Sequence, residues 1–485
     1  MSTVPSGAGT PVTSPAFPDL PAGFRFGAAT AAYQIEGAHD EDGRGPSIWD
    51  TFSHSPGRTL DGATGDTACD HYHRYPEDVA LLRGLGIDDY RFSISWSRLL
   101  PGGTGPVNPK GLDFYDRLID ELLAAGIAPT ATLYHWDLPQ ALETPSNSGS
   151  ATGGGWRVRE TAEAFAEYAN VAADRYGDRV ERWITLNEPF CSAFVGYAEG
   201  RHAPGAREGR GALAAAHHLL VAHGLAVREL RAAGAREVGI ALNLDRLHAA
   251  SDRPEDLAAL RRAEVLHNEV WTEPLFAGRY PEHEAETWAG LADGPWRRPG
   301  DLQLIGEPLD FVGINFYRPV TIAAAPHRQA DPERRTATDI GVEETDPYGT
   351  RLTTMGWPVV PSAFTELLTG LHSRYPQLPP VWITENGSAE TDSVTPDGRV
   401  HDPERIDYLA RHLGAVADAI AAGVDARGYY LWSLLDNFEW ARGYAQRFGL
   451  VHVDYATLTR TPKDSYHWYR GLITAHRART EETAR

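Results

Sequence analysis

Val381-Trp-Ile-Thr-Glu-Asn-Gly387 is a short apolar run that breaks off in a carboxylate, an amide and a glycine. Arg182-Trp-Ile-Thr-Leu-Asn-Glu-Pro189 has the same grammar much earlier in the chain. Such runs read as buried strands of a parallel sheet, ending on residues able to do chemistry. Working outward, runs of the same kind lie at 24–28, 89–94, 128–134, 238–242, 311–315 and 428–432. The two quoted stretches supply strands at 182–186 and 381–384. Amphipathic helical sequence separates most of them. Residues 161–176, 211–233 and 403–422 place apolar side chains at three- and four-residue intervals. Glu160 and Glu163 open the first of these helices, where its dipole favours acids, and Gly177 follows as its C-cap. Strands alternating with helices predict βα units around a parallel sheet, and eight such strands suit a closed (β/α)8 TIM barrel.

The 485 residues fit one barrel domain with elaborated loops, and no polar linker divides the body of the chain. We expect a disordered tail at 1–17, a catalytic barrel at 18–476 and a charged tail at 477–485. The first 17 residues are small, polar and Pro-rich. They lack the basic and apolar regions of a secretory signal. Three stretches read as loops: the Gly/Ser-rich 144–155, the Pro/Gly/Trp-rich 293–300 and the charged 323–351. The net charge of −21 argues against nucleic-acid and anionic-membrane partners. Two cysteines, Cys69 and Cys191, form no disulfide framework. They read as free buried thiols in a reducing, cytoplasmic compartment.

Polar residues gather where the expected strands end. His135, Trp136 and Asp137 follow the third, Asn187 and Glu188 the fourth, and Asn315 and Tyr317 the sixth. Glu385 and Asn386 end the seventh; Trp432, then Glu439 and Trp440, follow the eighth. A barrel brings all strand C-termini to one cup. Tryptophan faces stack on sugar rings, while amides and carboxylates hydrogen-bond hydroxyls. Two glutamates at strand ends then suit glycoside hydrolysis, which needs a proton donor and a nucleophile or base.

The sequence resembles glycoside hydrolase family 1, the β-glucosidase family, from about Phe24 to about Tyr469. The motifs that carry the resemblance are Phe26-Gly-Ala-Ala-Thr-Ala-Ala-Tyr-Gln-Ile-Glu-Gly37, Thr185-Leu-Asn-Glu-Pro189 and Ile383-Thr-Glu-Asn-Gly387. The resemblance implies Glu188 as general acid and then base, with Glu385 as nucleophile. It implies Gln34, His135, Trp136, Asn187, Glu439 and Trp440 as sugar-binding residues, with Trp432 as the stacking floor. Tyr317 would touch the nucleophile, and Asn315 and Arg91 would line the base of the cup. Trp357 and Phe448 would lie toward the outer, aglycone side. No cofactor or metal is implied.

A retaining mechanism needs the two carboxyls about 5–5.5 Å apart, and Glu188 must start protonated. Arg91 and Tyr317 are expected to keep Glu385 ionised. Relatives acting on 6-phosphorylated sugars lack the glutamate at the Glu439 position. The resemblance therefore implies an unphosphorylated, neutral sugar. Plant thioglucosidases lack the acid at the Glu188 position, which this chain has. The expected activity is that of a β-glucosidase on cello-oligosaccharides or aryl and alkyl β-glucosides. A broad β-galactosidase or β-fucosidase remains the alternative.

Other chemistries fare worse. A Schiff-base aldolase needs a lysine in the cup, and Lys110 and Lys463 end no strand. A non-catalytic sugar-binding barrel is expected to have lost a glutamate. His71, His73, His217, His218 and His223 lack ligand partners at metal spacing and read as structural. The sequence leaves the oligomeric state, a homo-oligomer included, open.

Overall fold

Apolar, β-branched runs become strands where helices can cover both faces of a parallel sheet. In the computed structural model, which describes residues 17–143, 154–292, 294–326 and 335–483, eight of them close into one barrel. They are β1 Arg25–Ala29, β2 Asp89–Ser93, β3 Ala128–Tyr134, β4 Arg182–Asn187, β5 Glu237–Asn243, β7 Phe311–Asn315, β10 Val381–Asn386 and β11 Ala426–Trp432. Neighbours pair in parallel, and β1 closes the ring on β11, with Arg25 opposite Gly428. Each expected strand lies within two residues of the observed one.

The barrel interior is packed. Ile184, Ala241, Phe311, Trp382 and Tyr430 point inward from five different strands and form one apolar cluster with Trp432 and Phe448. A larger cluster joins the strands' outer faces to the helices. Helix Arg159–Tyr176 buries Phe165, Tyr168, Ala169, Ala172 and Tyr176, the stripe its periodicity predicts. Gly177 caps it, but with φ −61°, so no left-handed turn is made there. Glycine is required for closeness instead: a Cβ would lie 2.6 Å from the Ala173 carbonyl oxygen.

At the N-terminal end of the barrel, charges lock strands together. Asp89 accepts from Arg25 and Arg182, and the Arg182 guanidinium lies over the Trp382 ring at 4.0 Å. That end holds structure; the opposite end carries the polar cup.

Two expectations need correction. The 323–351 stretch is not all loop. β8 Pro319–Ala324 pairs with β6 Arg246–Ala249 and with β9 Val342–Thr345 in a small sheet beside the barrel mouth. Its edge strand, Val-Glu-Glu-Thr, has no apolar alternation, because its own side chains stay half-exposed or exposed. At the C-terminus, residues 477–483 are helix rather than tail: Asp464–Thr483 is one helix. Arg477 bonds Asp88, and Arg479 bonds the Pro18 carbonyl, so its charged end is tethered. Of the expected N-terminal tail, residues 1–16 lie outside the described residues, as do 144–153 of the Gly/Ser-rich insertion. Phe17 packs against Trp468, ring centroids 5.7 Å apart.

Candidate active site

Strand irregularities aim the two glutamates. The β4–β5 register shifts between Ile184 and Asn187, and the β10 register shifts after Ile383 against both neighbours. Such bulges turn a side chain off the regular alternation. Glu188, just past β4, has φ +45°, unusual for a residue with a side chain. Its amide still bonds the Ala241 carbonyl at 2.9 Å, so the turn is anchored. Past Glu385 the chain passes so close to β11 that a Cβ on Gly387 would sit 1.9 Å from the Trp432 carbonyl oxygen. Only glycine fits between the Glu385 turn and Trp432.

Glu385 is held from both sides. Arg91 Nη1 donates to its Oε1 at 2.8 Å, and Tyr317 Oη donates to its Oε2 at 2.7 Å. Arg91 is buried and also bonds the Thr384 carbonyl, Thr132 and Asn187. Tyr317 is steadied through its carbonyl by Tyr408, which also bonds Asn386. Burial pushes the Glu385 carboxyl above its ordinary pKa, and Arg91 and Tyr317 pull against that rise. The sequence reading weighed the two donors but not the burial.

Glu188 has a different environment. Asn315 Nδ2 donates to its Oε1 at 2.7 Å, and the Cys191 thiol donates to its Oε2 at 3.2 Å. No cation bonds it among the described residues. Burial, and then the charge of Glu385, push its carboxyl up to about 8. Of the two, only Glu385 has a cation and a phenol bonded to it to stabilise its charge.

A cavity of about 940 Å³ opens above the pair, near the top of the roughly 300–1,000 Å³ range of ligand pockets. Glu188, Glu385, His135, Trp136, Asn315, Tyr317, Trp357, Trp432, Glu439, Trp440 and Phe448 line it. The family model described as glycosyl hydrolase family 1 matches residues 17–478 of this sequence. The chain belongs to that family. It is 50% identical over 468 residues to thermostable beta-glucosidase B of Thermobispora bispora, covering 96% of this chain and 92% of that one. It is 47% identical over 466 residues to a bifunctional beta-D-glucosidase/beta-D-fucosidase of Bifidobacterium breve, covering 95% and 99%. The solved family 1 b-glucosidase of Thermotoga maritima superposes with a TM-score of 0.88 at 45% identity, covering 95% of this chain and 99% of that one.

A polar shell surrounds the two carboxyls. Asn187 Oδ1 accepts from Arg91 and Asn315, so its amide nitrogen faces His135 Nε2 at 3.0 Å. That contact puts the His135 proton on Nδ1, which has no partner among the described residues. Burial, and next the charge of Arg91, hold this ring far below the usual histidine pKa, so it is neutral. Gln34 Nε2 bonds Asn437 Oδ1 and the Phe438 carbonyl, while its Oε1 is buried and unpartnered. Glu439 Oε2 is likewise unpartnered, and burial, then Glu385, push that carboxyl up to about 8. Buried polar atoms left without partners are costly unless a ligand meets them.

Rings complete the enclosure. His135 lies near-parallel to Trp432 and to Trp440, with centroids 5.7 and 5.9 Å away, and Trp136 packs on Trp440 at 4.6 Å. Trp357 sits over Tyr317 at 5.3 Å and is partly exposed. Phe448 is buried beside them, its ring centroid 6.0 Å from Tyr317 and 6.2 Å from Trp357. Gln34, Asn187 and Arg91 stand behind the cavity wall.

Sequence reasoning missed Cys191, which it took for a buried bystander; the thiol is part-buried on the cavity wall. Its place three residues after Glu188 was the available signal. It also missed Asn437 behind Gln34. The other flagged groups lie elsewhere. His71 pairs with Asp78, His217 with Asp301, and Lys463 is buried between Asp392 and Asp436.

Proposed function

We propose that this family 1 hydrolase is a β-glucosidase that removes terminal β-D-glucosyl residues from cello-oligosaccharides or aryl and alkyl β-glucosides, with retention. One observation carries the reading. Two carboxyls share a cavity, yet Glu385 is gripped by Arg91 and Tyr317 while Glu188 has no cation and stays protonated to about pH 8. Glu385 then attacks the anomeric carbon, and Glu188 gives its proton to the departing oxygen. Ester formation removes the Glu385 charge, so Glu188 loses its proton more readily and activates water. His135 and Glu439 hold the sugar hydroxyls over Trp432, beside Trp440 and Trp136, with Gln34 and Asn187 buried behind them.

His135 Nδ1 and Glu439 Oε2, both without partners among the described residues, suit the hydroxyls of a sugar. The likeness to a bifunctional beta-D-glucosidase/beta-D-fucosidase favours a second activity, on β-fucosides. Free thiols suit a cytoplasmic enzyme working on imported short glucosides.

A rate panel over nitrophenyl β-glycosides tests the assignment. We expect kcat/KM for the glucoside and fucoside to lie within about thirtyfold of each other, given a lost 6-hydroxyl bond and a displaced 4-hydroxyl bond of about 1 kcal/mol each. The 6-phosphoglucoside should be cleaved far more slowly. Equal or faster cleavage of the phosphorylated substrate contradicts the proposed substrate class.

A further inference from the structure

We propose that Cys191 is a positioning residue for the acid/base step, its thiol and the Asn315 amide together deciding which oxygen of Glu188 carries the catalytic proton. This inference rests on the reading of Glu188 as acid and base.

The placement is local and firm. The Cys191 amide bonds the Glu188 carbonyl at 2.9 Å, closing a turn, and a π-helical stretch Cys191–Ala198 starts there. The turn lays Sγ against Glu188 Oε2 at 3.2 Å, short for a bond from sulfur. On the other oxygen, Asn315 must present its NH₂, because Asn315 Oδ1 accepts from Thr384 Oγ1 at 2.6 Å. Both oxygens face a donor, but the amide N–H at 2.7 Å is stronger than the thiol at 3.2 Å, so Oε1 is the better seat for the carbonyl oxygen and Oε2 for the hydroxyl. The proton sits on Oε2.

There the thiol can donate to Oε2 while Oε2 donates to the substrate. In the first step, the Oε2 proton passes to the glycosidic oxygen as its bond to the anomeric carbon breaks. In the second, Oε2 takes a proton from water as the water oxygen bonds that carbon and the ester to Glu385 breaks. The thiol keeps its own proton throughout. Burial and the neighbouring Glu188 hold its pKa far above the ordinary thiol value.

A hydrogen bond to a carboxylate is stronger than one to the neutral acid. The thiol therefore stabilises the base form and lowers the Glu188 pKa against burial. It is one of two donors on this carboxyl among the described residues.

The test is the alkaline limb of kcat/KM for phenyl β-glucoside in the wild type, Cys191→Ala and Cys191→Ser. Glu188→Gln is the control and should lack that limb. We expect Cys191→Ala to move the limb up by about half a pH unit or more, the size of one weak charge-assisted bond. Cys191→Ser, a stronger donor of similar size, should return it to the wild-type position or below. A dinitrophenyl glucoside, which needs no proton, should react within about twofold of wild type in both variants. If Cys191→Ala does not fold, the Ser variant decides alone: a limb above the wild type overturns the inference. So does an Ala limb that coincides with the wild type, or a rate loss without movement. A limb that survives in Glu188→Gln overturns the acid/base reading itself, and this inference with it.

Discussion

Two glutamates of one kind are made unlike by their neighbours. Arg91 and Tyr317 hold Glu385, while Asn315 and Cys191 hold Glu188. The difference predicts how loss of Glu188 must look. Glu188→Gln should lower kcat/KM for phenyl β-glucoside by about 10²–10⁴-fold, the usual worth of a general acid. The dinitrophenyl glucoside, whose leaving group needs no proton, should lose far less in that first step. An equal loss on both substrates speaks against the acid role. The identities of both glutamates were legible because each sits in a motif at a strand's end. Their partners were legible only through the family resemblance or not at all. Arg91 reaches Glu385 across 294 residues of chain, and no local pattern records such a contact.

At the scale of elements, the strands were readable because parallel barrel strands are buried on both faces and therefore stay apolar. β9 was not, since its Val-Glu-Glu-Thr is held by pairing to β8 rather than by its own burial. The bulges in β4 and β10 were hidden for another reason. A register shift depends on the neighbouring strand, which sequence periodicity does not show. Gly387 ties β10 to β11 at a distance no other residue permits. Gly387→Ala should therefore destabilise the protein by about 1–3 kcal/mol, as overpacking does, and should lower kcat by displacing Glu385 or Trp432. Thermal unfolding and kinetics measure both. An alanine variant with unchanged Tm and kcat removes the close approach from the account.

The whole molecule accepts an unstable site in exchange for its chemistry. Glu188 and Glu439 both have native pKa values of about 8, against an ordinary value of 4.5. Between those values the native state holds protons that the unfolded chain releases. Stability should then fall as pH rises from about 4.5 to about 8. Glu439→Gln cannot titrate, so its Tm advantage over the wild type should grow by about 1–3 °C from pH 5 to pH 8. A constant Tm difference across that range shows that Glu439 is not held protonated. The net charge of −21 should matter little for turnover, because a neutral sugar is not steered by it. Fold and charge were set by composition and periodicity over hundreds of residues, which is why they could be read early. The most direct test of the central claim is to trap the enzyme with 2-deoxy-2-fluoro-β-glucosyl fluoride and map the label by peptide mass spectrometry. One glycosyl group per chain is expected, esterified to Glu385. A label on Glu188, or inactivation with no covalent sugar, contradicts it.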